Sequence, residues 1–531
     1  MATASNVALK EDKPELLPAR EGAEFYRRLG SISRQSAVYF LGTIFTAAAG
    51  YFFKVYLARR LGAEALGLYA LGMSLVGIVG LFNAIGLPAT ASRFVAEYSA
   101  RGDYARLGGF LRRSLGLLTA GNLVLAVVVM MAGPWVAVHF YHAPGLRPYF
   151  WAFALIMLLG VLTTFLGQVM AGYRDVARRT MITHFIGTPA SIVAGVVLIS
   201  LGWGLRGYMV AQVGSGALVL GLLAAAVWRM TPAPARVAEN AMPVENKVVA
   251  FSAVAFGITA VDFVLSQSDK IVLGYYLAPK QVGIYAVAMA LVGFVPIALQ
   301  SVNQIFSPII AELHAADNRL LLQRLYGTLT KWIVMLTIPL ALTMVIFARP
   351  LMGIFGAGFQ AGAGVLAIGA VAQLINCAVG SVGFLLMMSG HQIQMVKIQA
   401  VNAALMIGLS IYLVPRMGIT GAALATAITV ATTNLWSLAA VHDRMKLFPY
   451  HAGYFKLALP TIFSAGVLWG IFQLSGGVHA SGRMAGLAVI CGYGAFLGTV
   501  LLFGLDAEDR EIASMVRQGV AQSWRRDGRA N

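Results

Sequence analysis

The chain has 531 residues, of which 59% are hydrophobic and 11% charged, with a mean hydropathy of +0.77. That composition excludes an ordinary soluble globular protein and points to an all-α polytopic membrane protein. The formal net charge of +18 does not indicate nucleic acid as a partner, because the basic residues sit in short clusters between apolar runs and form no basic face with interleaved aromatics. Cys377 and Cys491 lie within apolar runs without CxxC spacing or nearby histidines, so the sequence suggests neither a disulfide framework nor a metal site.

The N-terminal segment, 1–35, is polar. The apolar run that follows starts too late and runs too long for a cleaved signal sequence, so it is expected to be a retained first helix. A helix needs roughly 20 mostly apolar residues to cross the hydrocarbon core. Such runs occur at 37–58, 66–89, 111–132, 149–171, 180–201 and 206–228. After a linker at 229–247 they resume at 248–266, 282–310, 328–348, 361–388, 393–414, 419–440, 453–474 and 484–504. The expectation is about 14 spans, followed by a C-terminal tail at 505–531.

Lysine and arginine concentrate on the cytoplasmic side of membrane proteins. With an inside N-terminus, the alternate connections hold 29 of the 39 basic residues. An even number of spans with both termini cytoplasmic follows. The connections are short, which leaves no room for a soluble catalytic domain between the first and last spans.

Displacing the chain by 216 residues lays LARRLGAEALGLYALGMSLVGIV (57–79) on LGYYLAPKQVGIYAVAMALVGFV (273–295) without a gap. Nearby offsets pair GLRG (204–207) with GITG (418–421) and MAGYR (170–174) with MSGHQ (388–392). Spans one to six therefore repeat as spans seven to twelve. An N-lobe (36–228) and a C-lobe (248–440) in parallel orientation, plus two further helices in 441–504, are the expected domains. Two such lobes suit alternating access around a site at their interface. The same offset aligns Lys54 with Lys270, while Asp269 has no acidic counterpart.

The segment DKIVLGYYLAPKQVGIYAVAMAL resembles the Asp-basic-x-x-x-Gly … Val-Gly-x-Tyr pattern of the bacterial polysaccharide transporter family, the Wzx-type oligosaccharide flippases. ARRLGAEALGLYALG (58–72), SRFVAEY (92–98) and FGAGFQAGAGVLAIGAVAQL (355–374) are similar to further segments of that family. The wider superfamily of multidrug, oligosaccharidyl-lipid and polysaccharide exporters shares two six-helix lobes. The resemblance implies movement of an undecaprenyl-diphosphate-linked oligosaccharide from the cytoplasmic to the periplasmic leaflet of a bacterial inner membrane. It also implies the polymerase and glycosyltransferases of the same pathway as partners, besides membrane lipids. A sugar-diphosphate head cannot cross hydrocarbon unaided, so a wet, basic interlobe cavity is expected.

Several residues could line such a cavity. Gln300, Asn303, Gln304 and Ser307 fall at i, i+3, i+4 and i+7 and form one polar stripe, read either as interhelical hydrogen bonding or as a sugar-facing wall. Asn83, Gln373, Asn376 and Asn402 are weaker versions. Asp262 lies about 21 Å along the seventh span at 1.5 Å per residue; such a carboxylate marks either proton or cation coupling or a structural ion pair. Arg93 and Glu97 end the second span, as a solvated pair or as a recruiter of an anionic head. Lys54 and Lys270, with Asp269 beside the latter, are read either as interfacial anchors or as a cationic pair that meets the diphosphate.

GIFGAGFQAG lies between spans with no strand before it, and no Walker A motif occurs, so no nucleotide or other cofactor is expected. His139, His142 and His184 lack neighbours at ligand spacing. A drug/cation antiporter is the second functional reading; a polysaccharide polymerase or ligase, which needs a large outward loop, is the third.

Overall fold

The computed structural model describes residues 19–83, 86–237, 267–450, 452–477 and 482–503, and every regular element among them is helical. In the first half these are α1 (Ala19–Asn83), α2 (Leu87–Arg101), α3 (Tyr104–His139), α4 (Phe150–Gly172), α5 (176–203), α6 (Gly204–Met230) and the short α7 (Ala233–Val237). The second half contains α8 (267–276), α9 (Pro279–Val292), α10 (Ile297–Ala315), α11 (Arg319–Ile346), α12 (Ala363–Val379), α13 (Val382–Met388) and α14 (Gln392–Met445). Two further helices follow, α15 (Ala458–Leu474) and α16 (Gly482–Phe503).

Eight helices among the described residues are long and apolar enough to cross a membrane, or nine when one bent pair counts as a span. The chain is a multi-pass membrane protein. Some of these helices are too long for one crossing, and glycines divide them. α1 breaks at Gly62 (φ 78°) and α14 at Gly418 (φ 60°, ψ −138°). α5 meets α6 at Gly204 (φ 54°, ψ −136°). Gly204 and Gly418 are the leading glycines of GLRG and GITG. Their nearly equal dihedrals, open in practice only to glycine, show that the repeat has duplicated a backbone corner.

Two predicted spans are interrupted. The run 282–310, expected to be continuous, is bent by 52° between α9 and α10. Pro296 has no amide to donate and its ring obstructs the preceding turn, so Phe294 N and Val295 N bond three residues back, to Leu291 O and Val292 O at 3.0 and 3.1 Å. The run 361–388 is split into α12 and α13 at Gly380 (φ 69°), where a Cβ would lie 2.2 Å from Thr330 Oγ1. At the start of the linker, α7 packs on α3: Gly108 admits Ala235 O, which an added Cβ would meet at 2.2 Å, and Arg112 donates to Arg236 O.

The buried clusters locate the junction of the halves. One cluster draws on both, from Leu57, Leu71 and Phe153 to Leu273, Tyr285 and Phe355. A second contains only first-half residues such as Phe94, Phe110 and Phe165, and a third only second-half residues such as Phe306, Tyr326 and Leu386. Among the described residues the halves thus pack together at the end bearing Gly62 and separately at the end bearing α2 and the linker start.

At the shared end the repeat contacts itself. A Cβ on Gly67 would lie 1.7 Å from Pro279 O, and one on Gly283 would lie 1.9 Å from Ala63 O. Ala63 and Pro279, like Gly67 and Gly283, are 216 residues apart. The second part of α1 and α9 therefore cross on a pseudo-twofold axis with backbones touching, as small residues allow in apolar surroundings. Arg59 Nε reaches Ile354 O in the other half at 2.8 Å. Tyr275, its equivalent by offset, packs on Phe140 with centroids 5.0 Å apart.

Candidate substrate site between the halves

Beside this seal lies a cavity of about 330 Å³, lined from the first half by Thr46, Gly50, Tyr51 and Lys54 and from the second by residues including Ala290 and Phe294. Tyr51 stands edge-on to Phe294 and Phe355, at 5.6 and 6.0 Å between centroids. These three rings form the wall between cavity and seal. Lys54 keeps an exposed side chain there. Lys270, on α8, donates from Nζ to Gln267 Oε1 at 3.0 Å. Lys54 stands on the wall of the cavity, while Lys270 is not among its described lining residues but lies within electrostatic range of Lys54.

Asp269 behaves differently from its neighbour. It is 7% exposed and accepts from Tyr285 Oη at 2.9 Å and from Lys270 N at 2.8 Å. The Tyr285 hydroxyl also lies 3.3 Å from Thr426 Oγ1. The carboxylate therefore ties α8 to α9 and α14 within the second half. Burial and the Tyr285 bond give it a packing contact, and it is not among the described residues that line the cavity.

The remaining candidates are scattered. Arg93, on α2, is exposed and sits among residues of the first-half cluster, on a helix separate from α1. Glu97 pairs with Arg101 at 3.0 Å. In α10, Gln300 is exposed while Asn303 is buried, its Oδ1 without a partner among the described residues. The side chains of Gln304 and Asn83, and all of Asp262 and Ser266, fall outside the described residues. Asn376 donates to Gln373 at 2.9 Å, and Asn402 accepts from Thr432 at 2.6 Å across α14. Cys377 and Cys491 are free thiols. Among the described residues no group of three or more His, Cys, Asp or Glu could hold a metal ion.

A second cavity, about 430 Å³, lies within the first half on the other side of α1 and shares Thr46 and Gly50 with the first. Sequence reasoning did not find it. Its hydroxyls are dispersed over the first, fourth, fifth and sixth spans and form no local motif. The one available signal was His184, whose Nδ1 lies 2.8 Å from Thr46 Oγ1.

A family model described as "polysaccharide biosynthesis protein" matches residues 32–314. The "probable low-salt glycan biosynthesis flippase Agl15" of Haloferax volcanii is 21% identical over 446 residues, covering 84% of this chain and 91% of that protein. Among solved structures, lipid II flippase MurJ in an inward closed conformation superposes with a TM-score of 0.69 at 13% identity, over 88% of this chain and 98% of its own. An inward-facing multidrug resistance MATE transporter gives 0.63 at 15% identity, over 76% of this chain and 94% of its own. These two likenesses concern the fold. The family match spans more than half of the sequence, and the chain belongs to the polysaccharide biosynthesis protein family.

Proposed function

We propose that the protein is a flippase for an oligosaccharide carried on a polyprenyl diphosphate, working by alternating access between an N-lobe (36–228) and a C-lobe (248–440), with about 14 spans in all. The observation that carries this reading is Lys54 on the wall of a cavity between the halves, with Lys270 within electrostatic range of it. Like charges within electrostatic range repel, and a bound diphosphate converts that repulsion into attraction for both. The site is adapted to an anionic head. The lipid tail stays in the bilayer while the head occupies the cleft.

In this reading the closed end is periplasmic and the end bearing α2 and the linker is cytoplasmic, in agreement with the distribution of basic residues. Both termini are then cytoplasmic, in a bacterial inner membrane. Arg93 and its neighbours would meet the anionic head as it arrives. Family membership and the resemblance to Agl15 support transport rather than catalysis as the activity.

The likeness to a MATE transporter keeps a cation-coupled drug antiporter as the second reading. A cationic drug, however, would meet Lys54 on the cavity wall with Lys270 within electrostatic range, and neither cavity has an Asp or Glu among its described lining residues. The deciding experiment is deletion of the gene in a strain without a paralogue. Flipping predicts that the lipid-linked repeat unit is still made but accumulates on the cytoplasmic leaflet. Normal surface glycan with altered drug sensitivity would favour the antiporter.

A further inference from the structure

The first-half cavity and its counterpart region in the second half have diverged in a way that bears on substrate. At the 216-residue offset Phe53 stands where Asp269 does, and Tyr69 where Tyr285 does. In the second half the carboxylate takes the tyrosine hydroxyl directly. In the first half no carboxylate is available at that position, and the hydroxyls run instead into a chain of neutral groups. Ser191 donates to Gln212 Oε1 at 3.1 Å, Gln212 Nε2 donates to Tyr208 Oη at 2.7 Å, and the Tyr208 ring stands edge-on to Tyr69 with centroids 5.1 Å apart. Thr163, also on the cavity wall, makes no hydrogen bond among the described residues.

Two stretches of α5 adopt wider π-helical turns, Met181–Gly187 and Ile199–Trp203. The first of these supplies Thr183 and Gly187 to the cavity wall. Such turns commonly mark functional positions within helices. Gly50 stands between the two cavities, and a Cβ added there would meet nothing within 4 Å. The volume, about 430 Å³, is within the range of small-ligand sites.

We propose that this cavity is a subsite for the uncharged glycosyl part of the substrate, entered past Gly50 while the diphosphate rests between Lys54 and Lys270. The inference rests on the flippase reading above. Hydroxyl and amide groups that both donate and accept match the hydroxyls of a neutral sugar. The Phe53 and Tyr69 rings on the same wall supply apolar faces. No described lining residue carries the negative charge that a cation site would need.

The test uses full-length protein in lipid nanodiscs and two probes: undecaprenyl diphosphate without sugar, and the lipid-linked glycan extracted from cells that lack the transporter. The unaltered protein is expected to bind the glycosylated lipid at least tenfold more tightly. Ser191→Ala and Gln212→Leu, which line only the first-half cavity, are expected when combined to abolish that preference and to change binding of the sugar-free lipid less than twofold. Equal binding of both lipids by the unaltered protein would overturn the subsite and leave the flippase reading standing. So would variants that keep the preference, or that alter only the sodium or pH dependence of export. If neither lipid binds the unaltered protein, the flippase reading and the subsite fall together.

Discussion

Gly67 and Gly283, repeat equivalents 216 residues apart, lie against each other on the pseudo-twofold axis, so close that a Cβ on Gly283 would stand 2.8 Å from Gly67 N. The atoms it would strike, Gly67 N and Ala63 O, belong to backbone, which cannot rotate away as a side chain can. Gly283→Leu is therefore expected to hold this end open. In a background lacking Cys377 and Cys491, a cysteine replacing the fully buried Leu71 should react with a water-soluble thiol reagent at least tenfold faster when Gly283→Leu is present. Unchanged protection would mean that the seal does not depend on this crossing.

Lys54→Gln and Lys270→Gln should each reduce glycan export several-fold at unchanged protein level, measured by surface glycan per cell. Arginine at either position should restore part of the activity, because charge is kept while geometry changes. If both glutamine variants export normally, the lysines are anchors and the diphosphate is met elsewhere, with Arg93 the next position to test.

Asp269 should act on stability. Tyr285→Phe leaves the buried carboxylate without its hydroxyl donor, which costs about 1–3 kcal/mol or more for a charged group. The expected outcome is a lowered unfolding temperature of the purified protein in detergent. Lys54→Gln, at an exposed position, should leave that temperature nearly unchanged.

Gly204→Ala and Gly418→Ala should each destabilise by about 1–3 kcal/mol, the usual range for a non-glycine residue held in such a region of φ/ψ space. Because the two corners share their dihedrals, the two losses should agree closely when measured side by side. A large loss at one and none at the other would show that the corners are not equivalent under load.

Reporter fusions after residues 35, 240 and 510 should all report cytoplasm. A periplasmic signal at 240 would break the six-plus-six division of the repeat.

The sequence by itself determined the membrane class and presented an ungapped self-similarity that aligns Lys54 with Lys270, because apolar length, basic-residue alternation and self-similarity at a fixed offset can be read without tertiary contacts. It also paired GLRG with GITG, and the structure places a corner that admits glycine and little else at the leading residue of each. The bend before α10 was less legible: Pro296 is visible in the sequence, but membrane helices often accommodate proline without breaking. Only the tertiary structure decided that Asp269 turns to Tyr285 while Lys270 stays within reach of Lys54. A helix sends consecutive side chains about 100° apart, so neighbours in sequence can serve a core and a cleft. It alone decided which end of the cleft is sealed, since Gly67 and Gly283 can touch only when the two halves are brought together. The neutral cavity behind Gly50 arises in the same way: hydroxyls from four separate spans converge there, and no short window of sequence contains them.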